Sequence, residues 1–166
     1  MVDENVSISL SRKHGMRDFV KKWQPESSDT ELWAVMESIL TMGGGFIRSE
    51  RGVEFCAPYV FTHFPEELDI YGYGAVIKQN VPLKTDSAIT SQTVSNLSYD
   101  LVKVEDWRSV ADKTNGSATR WIKVRTLNGK TGFVDKQFVR SPTDYSACFL
   151  YTLNKGWKMI SLIVNE

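Results

Sequence analysis

The sequence predicts an α+β protein: a helical N-terminal region packed on a small β-barrel, with a C-terminal β-hairpin completing it. Three observations predict this. Two apolar stripes at helical spacing fall in the first 40 residues, many short β-rich segments with close turn signals follow residue 73, and the stretch Arg120–Asp135 reads as strand, turn, strand.

The first stripe is Met16, Phe19, Val20 and Trp23 at i, i+3, i+4 and i+7, which predicts a helix over Ser11–Trp23 that Pro25 ends. The second is Leu32, Val35, Met36, Ile39 and Leu40, with Trp33 at its edge. Ser28 and Glu31 have the spacing of a capping box, and Gly43-Gly44-Gly45 supplies the stop. A phosphate loop would need the order strand, glycine loop, helix, with a lysine, so this triplet is no nucleotide site.

Met1–Leu10 reads as a loose end or edge segment, and Phe46–Glu54 as an irregular strand pair turning at Arg51-Gly52. Phe55–Gly74 is dense in aromatics and broken by Pro58 and Pro65, too apolar for a solvated linker. It is expected to be a packed connector between the helical and β parts. Short strands are then expected at Ala75–Ile77, Val94–Leu97, Leu101–Glu105 and Gln137–Val139, with loops at Val81–Ile89 and Asp106–Thr119, the latter holding Asn115-Gly116-Ser117.

The central hairpin carries the clearest turn signal. Trp121–Thr126 is β-branched and aromatic, Asn128-Gly129 suits a two-residue turn with positive φ, and Thr131–Val134 returns with Gly132 allowing a close approach. A last hairpin, Tyr145–Leu153 and Trp157–Val164, turns at Asn154-Lys155-Gly156. Its Phe149, Tyr151, Trp157, Met159, Ile160, Leu162 and Ile163 exceed what a solvated two-stranded edge displays, so it either packs on the helical region or pairs with another copy. The partition expected is 1–70 helical region with connector, 71–141 barrel, and 142–166 hairpin packed on the preceding parts.

Composition bounds the function. Of 166 residues, 42% are hydrophobic and 24% charged, the balance of an ordinary globular chain. Twenty basic residues match twenty acidic ones, against a general nucleic-acid binder. No apolar run reaches membrane-spanning length, so no membrane insertion is expected, and the N-terminus lacks a signal peptide's basic start and apolar stretch. That leaves an intracellular chain or a trimmed one, and the compartment open.

Cys56 and Cys148 read as buried free thiols, with a disulfide as the alternative. Cys56 with His63 or His14 is the one candidate thiol–imidazole pair, but Cys56 lies in an extended Phe-Cys-Ala-Pro segment where no helix begins, so no enzyme is expected. These residues show no zinc-ligand spacing, and no cofactor is implied. Glu66-Glu67 and Asp3-Glu4 read as solvated surface charge.

The segment Tyr73–Arg140 resembles the bacterial SH3 (SH3b) family, on Trp121-Ile122-Lys123-Val124 and Asn128-Gly129-Lys130-Thr131-Gly132-Phe133-Val134. Val81-Pro82-Leu83-Lys84 stands where that family has asparagine-leucine-arginine and a proline-serine turn, and differs there. Ala57-Pro58-Tyr59-Val60 and Phe64-Pro65 resemble SH3b-containing envelope proteins of Gram-negative bacteria. The resemblance implies an SH3-like barrel, a cell-envelope or periplasmic location, and a non-enzymatic binding module for a peptidoglycan peptide or a protein partner. Cysteine peptidases of the cell wall, which SH3b domains accompany, are the enzymatic rival.

If Ile122 and Val124 line the barrel, alternation turns Trp121 outward, either covered or open as a stacking platform. Trp121, Tyr73, Trp107 and Tyr71 are therefore the expected ligand contacts, in a monomer or weak homodimer. The competing expectation is a structural or scaffold protein whose groove its own N-terminal region fills.

Overall fold

The computed structural model describes residues 1–9, 15–114 and 118–163. The molecule is mostly β, with 45% strand and 16% helix, two sheets and, among the described residues, three short helices. This corrects the expected α+β architecture. There is no helical N-terminal region packed on a small barrel, and the second sheet is a half-barrel. The chain forms two compact units, Met1–Phe64 with Thr143–Glu166, and Pro65–Pro142.

In the first unit, β1 (Val2–Ser7) precedes α1 (Met16–Trp23) and α2 (Leu32–Leu40), and then come β2 (Gly45–Ser49), β3 (Gly52–Ala57) and α3 (Tyr59–Thr62). The chain returns to this unit as β11 (Ser146–Thr152) and β12 (Gly156–Ile163), and the sheet order is β1-β12-β11-β3-β2. The N-terminus is thus a strand, parallel to β12, because Val6 is an apolar anchor buried in the unit's core. The terminal hairpin is no edge: β12 pairs with β1 and β11 with β3.

Both helical stripes form helices, each short. Phe19 and Trp23 of α1 and Leu32, Met36 and Ile39 of α2 are buried with Ala57, Ala147, Met159 and Leu162 in one core, while Val20 and Trp33 stay exposed. Residues Ser11–His14 of the expected first helix lie outside the described residues. The Ser28–Glu31 capping box does not form. Glu31 is the N-cap with no side-chain bond, and Thr30 Oγ1 instead accepts from the Leu32 N–H at 3.2 Å. Gly43, at φ +67°, follows the helix end, and a Cβ on Gly44 would sit 2.1 Å from the Cys56 carbonyl oxygen, so the triplet lets β2 pass close to β3.

Cys56 and Cys148 form a disulfide, not two free thiols. They are directly opposed on β3 and β11, with Cα atoms 4.1 Å apart. Two segments distant in sequence were brought together by strand pairing that no local pattern announces.

The second unit holds β4 (Tyr73–Val76), β5 (Val81–Lys84), β6 (Thr93–Leu97), β7 (Leu101–Ala111), β8 (Arg120–Thr126), β9 (Thr131–Asp135) and β10 (Val139–Arg140), in the order β10-β4-β7-β8-β9-β5-β6. Val81–Lys84, expected as loop, is a strand because Val81 and Leu83 alternate into the core beside Val102, Val104, Ile122, Val124 and Val134. Asp106–Ala111, also expected as loop, prolongs β7 through the pairs Asp106↔Lys123 and Val110↔Trp121; Asn115-Gly116-Ser117 lies outside the described residues. Gln137–Val139 divides into a 3-10 turn, Lys136–Phe138, and β10.

The central hairpin turns through three residues, not two. Thr126 N–H bonds to the Lys130 carbonyl at 2.8 Å, leaving Leu127, Asn128 and Gly129 as the loop, and only Gly129 has positive φ, at +87°. The Thr126 hydroxyl donates to Asn128 Oδ1 and accepts from the Lys130 N–H, and these side-chain bonds favour the longer loop.

Candidate functional site

Of the expected ligand contacts, Trp121 is the least available. It is the second residue of β8, at 3% exposure, and its indole N–H donates to Asp112 Oδ2 at 2.7 Å. That carboxylate also accepts from the Ile89 N–H at 3.0 Å and from the amide and hydroxyl of Thr114. The Thr114 hydroxyl, the largest influence, holds the Asp112 carboxyl below the usual carboxylate value; desolvation, next in size, opposes it, and the Thr114, Trp121 and Ile89 N–H donors add smaller lowering effects. Next to it, Lys113 pairs with Asp86 at 2.7 Å and its amide bonds to the Ser87 carbonyl at 2.9 Å. The segments after β5 and β7 are thereby tied to each other and to Trp121. The ring presents no face to a ligand in this arrangement.

Trp107 and Tyr71 do come together, through the backbone of Tyr71. Trp107 is half-buried on the unit's core, and its indole N–H donates to the Tyr71 carbonyl at 2.8 Å. Its ring edge lies over Gly74, where a Cβ would come within 2.8 Å. Tyr71 is 67% exposed and Tyr73 half-buried beside it in β4, paired with Lys103. Trp121 and Trp107 are held by different partners and do not share one hydrogen-bonded arrangement.

The candidate thiol–imidazole pair loses its thiol. Cys56 carries no thiolate once bonded to Cys148, His63 Nδ1 lies 2.8 Å from the Thr62 hydroxyl, and His14 lies outside the described residues. Among the described residues, no group of three or more His, Cys, Asp or Glu is placed to hold a metal ion. No helix there is long and apolar enough to cross a membrane.

The surface that the sequence did not assemble lies on the first unit. The registers Phe46↔Phe55, Phe55↔Phe149 and Phe149↔Met159 place one rung of large apolar side chains across four strands. Val53, Tyr151 and Trp157 form the next rung on the same face. Ring centroids stand 5.2 Å apart for Phe46 and Phe55, 6.3 Å for Phe46 and Trp157, and 5.4 Å for Tyr151 and Trp157, all tilted. One end of this face is sealed by the core beneath the helices. At the other end Phe46 is 71% exposed and Trp157 42%. The surplus of aromatics in the last hairpin was the available signal; the contribution of β2 and β3 depended on a pairing across some ninety residues.

A cavity of the same unit, about 480 Å³, lies between the end of α1 and the start of α2, lined among others by Lys22, Trp23, Glu31 and Tyr145. No family model, curated protein or solved structure matches the chain.

Proposed function

We propose that the chain is a non-enzymatic binding module for a cell-envelope ligand, a wall peptide or a protein partner, and that the aromatic face of its first unit is the contact surface. The observation that carries this reading is the exposed cluster of Phe46, Tyr151 and Trp157 on a sheet cross-linked by Cys56–Cys148. Exposed contiguous aromatics are unfavourable in water unless a partner covers them, and rigid rings offer contact area at small entropic cost. The disulfide suits an oxidising compartment such as the envelope. The likeness of Tyr73–Arg140 to the SH3b family points the same way.

The test is co-sedimentation of the purified protein with bacterial peptidoglycan sacculi. Retention of the wild type, lost in a folded Phe46→Ala/Trp157→Ala variant, supports a wall ligand on this face. Retention that survives in this variant but is lost in Tyr71→Ala returns the site to the second unit. No retention at all removes the wall ligand and leaves the protein partner.

A second reading, a structural or scaffold protein, draws support from the burial of Trp121, the residue on which an open groove was expected to stand.

A further inference from the structure

The two edges of the five-stranded sheet are unlike. β1 displays Asp3, Glu4 and Asn5, the charge and polarity that discourage addition of another strand. β2, at the opposite edge, reads Gly-Phe-Ile-Arg-Ser. It has no proline, lysine or acid, and Phe46 and Ile47 are 71% and 44% exposed. Among the described residues β2 pairs with β3 alone, so one of its two sides offers unsatisfied backbone donors and acceptors.

We propose that β2 pairs with β2 of a second copy, antiparallel about a twofold axis at Ile47, joining the two sheets into one. The sequence is self-complementary in that register. Ile47 meets the partner's Ile47, and Phe46 meets the partner's Arg48 twice, once on each side of the axis. Alternation puts Phe46 and Arg48 on the same face of the sheet. Each guanidinium then lies opposite an aromatic ring, a cation set against the negative ring face, with no like charges directly opposed. The interface is isologous and closes at two copies. It also sets the Phe46 rungs of both copies side by side, doubling the aromatic face. The inference does not depend on what that face binds.

A five-residue strand pair is small, so the association is weak, with a dissociation constant on the order of tens of micromolar. Sedimentation equilibrium of the full chain, from about 5 to about 500 µM, reads it directly. The average mass is expected to rise from one chain toward two. Ile47→Lys, with an unchanged melting temperature, should hold it at one, and Arg48→Glu should raise the dissociation constant several-fold. Ile47→Cys gives a measurement independent of those variants. A residue that meets itself on the axis forms a covalent dimer under mild oxidation, whereas Val53→Cys, on the neighbouring strand, does not. A wild type of single mass across the range, a dimer indifferent to Ile47→Lys, or no covalent dimer from Ile47→Cys overturns the proposal. So does protection of the β2 amides in a monomer only when a foreign peptide is added.

Discussion

Trp121 donates its indole N–H to Asp112 Oδ2 across 2.7 Å, and that contact reinforces the Val110↔Trp121 pairing that holds the start of β8 beside the end of β7. The ring is buried, so Trp121→Ala removes a large side chain and strands the contacts around it, a loss of about 3–5 kcal/mol. Trp121→Phe keeps most of the volume and removes only the donor, and should cost about 1–2 kcal/mol. Urea unfolding of the two variants beside wild type checks the order. A Trp121→Ala protein as stable as wild type would show that the ring carries no packing role.

Acid should loosen this contact. The Asp112 carboxyl is held below its ordinary value of 3.8, first by the Thr114 hydroxyl, and Asp86 is held low first by Lys113. A carboxyl whose folded value is depressed adds stability above its unfolded value, and that contribution disappears as pH falls through the folded value. Stability from these two groups is therefore complete above about pH 5 and falls away progressively once pH drops below about 4. The Trp121 indole N–H resonance in two-dimensional NMR should shift over that acidic range, and the shift should vanish in Asp112→Asn. A resonance that first moves near pH 6 would place control of the contact elsewhere.

The Cys56–Cys148 bridge closes a sequence separation of 92 residues, which restricts the unfolded chain strongly. Reduction, or the double variant Cys56→Ala/Cys148→Ala, should lower stability by about 2–5 kcal/mol. Urea midpoints with and without reductant measure it. Equal midpoints would mean that the unfolded chain is no less restricted without the bridge.

How legible this was follows from the range of each interaction. The stripe Leu32-Val35-Met36-Ile39 and the hairpin around Asn128-Gly129 were readable because their partners lie within a few residues. Even there, the Thr126 hydroxyl bonding to Asn128 and Lys130 lengthened the turn beyond what the Asn-Gly pair suggests. Val2–Ser7 is the edge strand of its sheet, the second of the two expectations for it, and the choice stayed open because five of its six residues are polar or half-exposed and only Val6 marks the face. The fold class failed for the same reason. Two clear helices dominated the N-terminal reading, while the sheet under them comes from both ends of the chain. Alternation correctly set Trp121 apart from Ile122 and Val124, but its acceptor, Asp112, sat in a segment expected to be loop. The aromatic face escaped because Phe46, Phe55 and Phe149 belong to three strands, and a register cannot be read from any one of them.

Two glycines test the packing that these registers impose. A Cβ on Gly132 would sit 2.4 Å from the Lys84 carbonyl oxygen and 2.9 Å from Leu83 Cγ, so β9 could not keep its place beside β5. Since backbone and a fully buried leucine cannot yield cheaply, Gly132→Ala should cost about 3 kcal/mol. A Cβ on Gly74 meets the Trp107 ring at 2.8 Å and the Arg140 carbonyl oxygen at 3.0 Å. The ring is half-exposed and can turn away, so Gly74→Ala should cost less while breaking the Trp107 hydrogen bond to Tyr71. The two variants are separated by reading urea midpoints together with exchange of the Trp107 indole proton. Gly132→Ala should move the midpoint further, whereas Gly74→Ala should speed the exchange selectively. If Gly74→Ala leaves that proton as protected as in wild type, Trp107 is held by its packing on the core and not by the Tyr71 carbonyl.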